Sequence, residues 1–437
     1  MYIDTIRLEN IRGFRELKFS FDRGQGQYAG WTVLTGDNGS GKSTVLRAIA
    51  LMLAGPQAAA ALQPGYAKWV RKDCKRSSIR LSITRCNDDD GYGPSLYEWP
   101  NENIVLTSVM TQVNNGKSIT TWHDINDLSA HYNQMLSIAE DSIWSPFASG
   151  WFASGYGPFR RISRSSQDIN TLMADPEAGR FATLFQESAS LAETDEWLRQ
   201  LNYKRLEGHA KEGALLKLVI QFLNDQLLPN QVRVDRVDSD GLWLKDREGT
   251  ELSWSDMSDG YRSALALLTD ILRHMSGTYG IDGLIDQDPD GGLCIRRSGV
   301  VLIDEIDAHL HPEWQREIGF WLKRHFPNIQ FIVTSHSPLI CQAADPNGLF
   351  VLPEPGSDEP ARALTAEEYQ EVISSRPDTI LRSAAFGLQN TRSPVAVEAR
   401  SAFADLRTKQ RAGGKLTQAE QVELERLRQY INPDEEP

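Results

Sequence analysis

Residues 36–44, Gly36-Asp37-Asn38-Gly39-Ser40-Gly41-Lys42-Ser43-Thr44, fit the pattern G-x-x-x-x-G-K-[ST] and lie between a β-rich run at 31–34 and a helical run at 45–53. No other feature limits the fold as strongly, because this loop has to join the end of a strand to the first turn of a helix. Its glycines let the backbone curl around an anion with N–H groups turned inward, and the helix dipole adds partial positive charge at the same place. Lys42 is placed for the β- and γ-phosphates of a nucleotide, and Ser43 for a Mg2+ ion. All nine residues are candidate nucleotide contacts.

Two later segments supply partners for that loop. Residues 299–303 are an apolar run that reads as a buried parallel strand ending in Asp304-Glu305. Both carboxylates then emerge at the C-terminal edge of the strand, where open α/β sheets bind ligands. Asp304 is expected to hold Mg2+ together with Ser43, and Glu305 to serve as general base for an attacking water. Residues 330–334 make a second buried strand that leads into Ser335-His336-Ser337-Pro338, which places His336 to sense a γ-phosphate. Lys42, Glu305 and His336 are therefore the candidate catalytic set. Ser258, Asp259 and Gly260 precede an apolar helical run at 264–268 and give another helix N-terminus suited to an anion. The plainer reading, that Ser258 and Asp259 cap that helix, is compatible with it. His309-Leu310-His311 has a spacing that metal sites use, but no Cys or carboxylate spacing completes one.

The opening residues 3–14, Ile-Asp-Thr-Ile-Arg-Leu-Glu-Asn-Ile-Arg-Gly-Phe, the alternating Leu17, Phe19 and Phe21, and Asn38 within the loop resemble the start of RecF and the SMC-type ATPases. The resemblance implies an α/β fold of the ABC type: a P-loop ATPase head with an antiparallel β lobe, a short helical lobe in place of a long coiled coil, and a C-terminal helical hairpin. It also implies that residues 258–263, Ser-Asp-Gly-Tyr-Arg-Ser, are the signature motif, which caps the γ-phosphate held by a second subunit. ATP with Mg2+ would then sit between two heads of a head-to-tail homodimer. Residues 307–312 would face the opposing subunit.

Tyr261-Arg262, the element at 154–161 and the tail at 385–394 are similar to the compact ATPase subunits of bacterial anti-phage systems, the Septu and retron-associated families. That likeness implies an ATPase controlling a separately encoded effector, a nuclease; slow turnover would fit a switch, and ATP held structurally and barely hydrolysed is the alternative. No HNH-type histidine pattern and no acidic Toprim-like pattern follows His336, so a nuclease site of its own is not expected. A RecF- or SMC-like repair ATPase acting directly on DNA is the competing reading. An ABC transporter motor fits poorly, since the interval from Lys42 to Ser258 is much longer than such motors have.

Four segments follow from the motifs: 1–160 with the P-loop, 161–255 as helical lobe and short hairpin, 256–352 with the signature, Asp304-Glu305 and His336, and 353–437 as a helical tail suited to partner docking. Strands are expected at 78–85 and 103–113, helix at 127–142, and a strand at 151–154 entering a turn at Gly155. The family's Q-loop belongs near that turn, but no Gln occupies it. Helical spacing of Leu215, Leu218, Val219, Phe222 and Leu223 marks 169–228, a hairpin spans 232–254, and 275–297 reads as a surface loop. Residues 395–411 and 418–431 read as a helical hairpin, the second helix opened by a Thr417 to Glu420 capping box.

A net charge of −13 over 437 residues argues against bulk nucleic-acid binding. Lys68, Arg71, Lys72, Lys75, Arg76 and Arg80 nevertheless cluster around Trp69, and Arg160 and Arg161 follow a Gly-Tyr-Gly-Pro turn. These eight cations are the candidate contacts for DNA or an acidic partner, and a solvated basic face is the alternative. Four cysteines without paired spacing suggest free thiols in a reducing compartment. Arg47 and Pro56 interrupt the most apolar stretch, and no charged-then-apolar leader opens the chain, so no membrane span and a cytoplasmic location are expected.

Overall fold

In a computed structural model the chain forms two compact units, Met1–Pro377 and Asp378–Pro437. The structure describes residues 1–93, 103–113, 117–122, 130–160, 167–287, 291–357 and 359–431.

The first unit contains a six-stranded sheet in the order Arg362–Ala363, Leu349–Val351, Gly30–Thr35, Ile329–Thr334, Gly299–Ile303 and Ala153–Tyr156. All neighbours run parallel except the short pairing of Arg362–Ala363 with Leu349–Val351. Gly299–Ile303 and Ile329–Thr334 are buried at every position, which is why they read as unbroken apolar runs rather than alternating ones. Register sets Val33 beside Val333 and Val333 beside Ile303, so the ends of three strands converge on one edge.

A second, antiparallel sheet has the order Phe14–Ser20, Tyr2–Ile11, Arg76–Thr84, Ile104–Val113 and Lys117–Thr121. Its inward side chains Ile6, Leu8, Ile79 and Leu81 share one core with Leu34 and with Val45, Ile49 and Met52 of the helix Lys42–Leu62. That helix is long and apolar enough, by length and composition, to cross a membrane, contrary to the expectation from Arg47 and Pro56. Here it is a core helix: Arg47 donates to the Leu184 carbonyl at 2.9 Å, and the helix kinks at Gly55, against which the Trp144 ring packs.

Ala192–Leu206 and Ala210–Leu223 pack with a three-stranded antiparallel sheet, Arg233–Asp238, Gly241–Lys245 and Glu251–Ser253, and with the long helix Asp259–Tyr279. Two local expectations change. The strand near the Gly-Tyr-Gly-Pro turn is Ala153–Tyr156, so Gly155 lies inside it; a Cβ there would come within 2.9 Å of Phe181. The expected loop at 275–297 begins as helix, because Asp259–Tyr279 continues until the Tyr279 hydroxyl donates to the Ser298 carbonyl at 2.7 Å.

The second unit holds the helices Pro394–Arg411 and Gln418–Leu427, joined around a small core of Ala399, Phe403 and Leu427. Thr417 and Glu420 form the expected capping box.

Candidate functional site

Gly36 and Gly41 show why the loop needs glycine. Both have positive φ, 139° and 99°, and a Cβ would meet the Leu352 carbonyl at 2.7 Å in one case and the Phe14 ring in the other. The Lys42 ammonium lies across the mouth of the loop, donating to the Gly36 and Asp37 carbonyls at 2.9 Å each. Burial lowers its pKa, opposed by the charges of Asp304, Glu305, Asp37 and Asp307. The Ser40 hydroxyl is buried in the same loop without a hydrogen-bond partner, an orphan that a phosphate oxygen would satisfy.

A cavity of about 350 Å3 opens over the loop, lined by residues 38–44 together with Glu305, His336, Arg12, Gly13 and Phe14. Sequence reasoning missed the last three as site residues, although they follow the first strand directly. Arg12 donates to Thr44 Oγ1 at 3.0 Å and lies over the Trp69 ring.

The carboxylates stand where the strand pattern put them. Asp304 is 2 % exposed; its N–H donates to the Tyr156 carbonyl at 2.8 Å, and its Oδ1 accepts from Thr334 Oγ1 at 2.6 Å. Glu305 follows in a left-handed conformation, φ 46°, with an exposed side chain and its N–H donating to Thr334 Oγ1 at 2.7 Å. His336 is half-buried, and burial followed by the Lys42 charge lowers its pKa, which favours the neutral imidazole at pH 7. Ser43 and Asp304 offer hydroxyl and carboxylate oxygens, the hard donors that Mg2+ takes. When bound, the ion would neutralise charge on the phosphates.

Ser258, Asp259 and Gly260 do not line this cavity. Ser258 and Gly260 border a separate space of about 350 Å3, beside Tyr261, His309, His311 and Trp314. Ser258 occupies the N-cap position of Asp259–Tyr279, but its side chain makes no capping hydrogen bond. Asp259 pairs with Arg262.

The basic candidates divide. Lys68, Lys72, Lys75 and Arg80 are exposed, Arg76 is half-buried, and Arg71 donates to the Gly13 carbonyl beside the P-loop cavity. Trp69 is fully buried under Arg12 and offers no surface for stacking. Arg160 does not serve as a surface contact: it is 2 % exposed, with its guanidinium spent on backbone carbonyls of the Asp304 to Ala308 turn and of Gly157. Arg161 lies outside the described residues.

Fold and site together define an α/β protein of the P-loop nucleotide-binding class. The family model described as "AAA domain" matches residues 5–206, and that described as "AAA domain, putative AbiEii toxin, Type IV TA system" matches residues 138–342. The chain is related to the Septu protein PtuA of Bacillus mycoides, 26 % identical over 89 % of this chain and 45 % of that protein. It thus spans under half the length of that relative. It is also 27 % identical to the Retron Ec83 probable ATPase of Escherichia coli, over 80 % of this chain and 71 % of the relative. A solved SMC head bound to the C-winged helix domain of ScpA is a more distant likeness, 18 % identical with a TM-score of 0.48 over 84 % of this chain and 99 % of that one.

Proposed function

We propose that the chain is the ATP-binding and hydrolysing subunit of a bacterial anti-phage defence complex, closing head to tail around ATP and controlling a separate effector, a nuclease. The observation that carries this reading is the separation of the signature from the P-loop cavity: Ser258 and Gly260 border a different space from residues 38–44, and the Ser258 hydroxyl makes no capping bond. One chain offers half a site at each place, and a second copy turned head to tail completes both.

In that arrangement Lys42 exchanges its carbonyl partners for the β- and γ-phosphates, which accept stronger, charge-assisted bonds. Glu305 takes the proton of the attacking water, while neutral His336 donates to the γ-phosphate. Residues 1–160 and 256–352 act as the head, 161–255 as its helical lobe, and 353–437 as the docking tail. Slow turnover suits a switch in which ATP sets a conformation and hydrolysis resets it.

The exposed Lys68, Lys72, Lys75 and Arg80 favour a second reading, in which the chain acts on DNA directly as a repair ATPase. Purified chain with DNA and ATP, assayed alone and then with the product of its neighbouring gene, separates the two. The defence reading expects nuclease activity to appear or change with ATP only when the neighbour is added. Tight DNA binding and full activity of the chain alone would favour repair.

A further inference from the structure

We propose that Arg160 is a positioning residue that joins the signature helix to the Asp304-Glu305 turn, so that contact made by the signature in one composite site sets Glu305 in the other. This rests on the head-to-tail dimer and on Glu305 as general base.

Arg160 sits just after the strand Ala153–Tyr156, in the core. Its guanidinium donates to the carbonyls of Gly157 and Asp304 at 3.1 Å, Glu305 at 3.2 Å, Ile306 at 3.3 Å and Ala308 at 3.4 Å. The four N–H groups of Nη1 and Nη2, held in a rigid plane and partly shared, thus gather four carbonyls of one turn and that of Gly157. Burial pulls the guanidinium pKa down to about 10 against the attraction of Asp307, Asp304 and Glu305, so it remains a cation at neutral pH. The bonds have a specific task. Glu305 has φ 46°, a left-handed conformation that a non-glycine residue keeps only where its surroundings enforce it. Arg160 fixes the carbonyls at Glu305 and on either side of it, and Thr334 fixes the N–H.

The same residue reaches the signature helix. Ser263, one turn into Asp259–Tyr279 and 5 % exposed, donates its hydroxyl to the Arg160 carbonyl at 3.3 Å. Near the start of that helix the His309 carbonyl lies 2.6 Å from where a Gly260 Cβ would stand. Helix start and turn therefore meet at two points, one a hydrogen bond through Arg160 and one a close backbone approach. A signature drawn onto the partner's γ-phosphate shifts Ser263, and through Arg160 the shift reaches the backbone that aims Glu305 in its own pocket. Occupancy of each site then governs catalysis at the other.

Phosphate release measured against ATP concentration tests this in wild type, Ser263→Ala, Arg160→Lys and Glu305→Gln, with binding of a fluorescent ATP analogue measured in parallel. A wild-type Hill coefficient above one is expected. Ser263→Ala should bring it towards one and lower kcat by about tenfold while analogue affinity changes less than about threefold, because only the aim of the base is disturbed. Arg160→Lys, with three donors for five carbonyls, should lose about a hundredfold in kcat. Wild-type kcat and Hill coefficient in both variants, a raised KM at unchanged kcat, or a wild-type Hill coefficient of one would overturn the proposal. Should Arg160→Lys unfold by circular dichroism, Ser263→Ala decides, since it removes one hydroxyl only. Full turnover in Glu305→Gln with a lowered Hill coefficient in Ser263→Ala would sink the general-base role and leave the coupling standing.

Discussion

Thr334 Oγ1 donates its hydrogen to Asp304 Oδ1 at 2.6 Å and accepts the N–H of Glu305 at 2.7 Å. A side chain from the neighbouring parallel strand thereby fixes both acidic residues at the strand end. Thr334→Val keeps the shape and leaves a buried carboxylate oxygen and a backbone N–H unpaired. Stability should drop by about 1–3 kcal/mol, read by thermal or denaturant unfolding, with a fall in kcat larger than any change in ATP affinity. Thr334→Ser should restore most of both.

Among the described residues the Lys42 ammonium bonds only to the Gly36 and Asp37 carbonyls of its own loop, so its removal should leave the fold intact while taking the main cation from the phosphate site. Lys42→Ala should weaken ATP binding by about a hundredfold or more, measured by fluorescence titration, with little change in melting temperature.

Gly260 tolerates no side chain while the His309 carbonyl stands 2.6 Å from its Cβ position. Gly260→Ala must push the signature away from residues 304–309. ATP should still bind each P-loop, while the ATP-dependent dimer seen by light scattering should be lost. An ATP dimer of wild-type stability in this variant would count against the signature assignment.

Asp345 anchors the strand that delivers the P-loop: its Oδ2 accepts the Trp31 N–H at 2.7 Å and pairs with Arg23, and its Oδ1 accepts from Lys323 at 2.8 Å. Burial raises its pKa, but Lys323, the Trp31 N–H and Arg23 outweigh burial and hold it below the ordinary 3.8. A carboxylate with a lowered folded pKa contributes stability above its unfolded value and loses it as pH falls through the folded one. Wild type should therefore lose melting temperature as pH falls below about 4. Asp345→Asn should be less stable at pH 7 by about 1.5–3 kcal/mol and show a flatter decline in acid.

Much of this site is legible in the chain because its determinants are local. Gly36 to Thr44 carry loop, strand and helix signals within a few residues of one another, and Val300 to Ile303 announce a strand covered on both faces. Arg160 was illegible for the opposite reason: beside other cations it reads as surface, and only carbonyls some 140 residues away make it a core residue. Gly155 misled similarly, since a glycine that admits Phe181 looks like a turn glycine. Arg12 and Phe14 reach the cavity only because the two sheets share a core around the P-loop helix.

Hydrolysis by wild type and Glu305→Gln under multiple-turnover conditions, with ATP and Mg2+ in excess, bears on the account most directly. Wild type should release phosphate, slowly, while Glu305→Gln binds ATP with near wild-type affinity, accumulates as a dimer and releases almost none, a loss of at least about a hundredfold. Glu305→Gln turning over at the wild-type rate would contradict the assignment of Glu305, and with it the site as described.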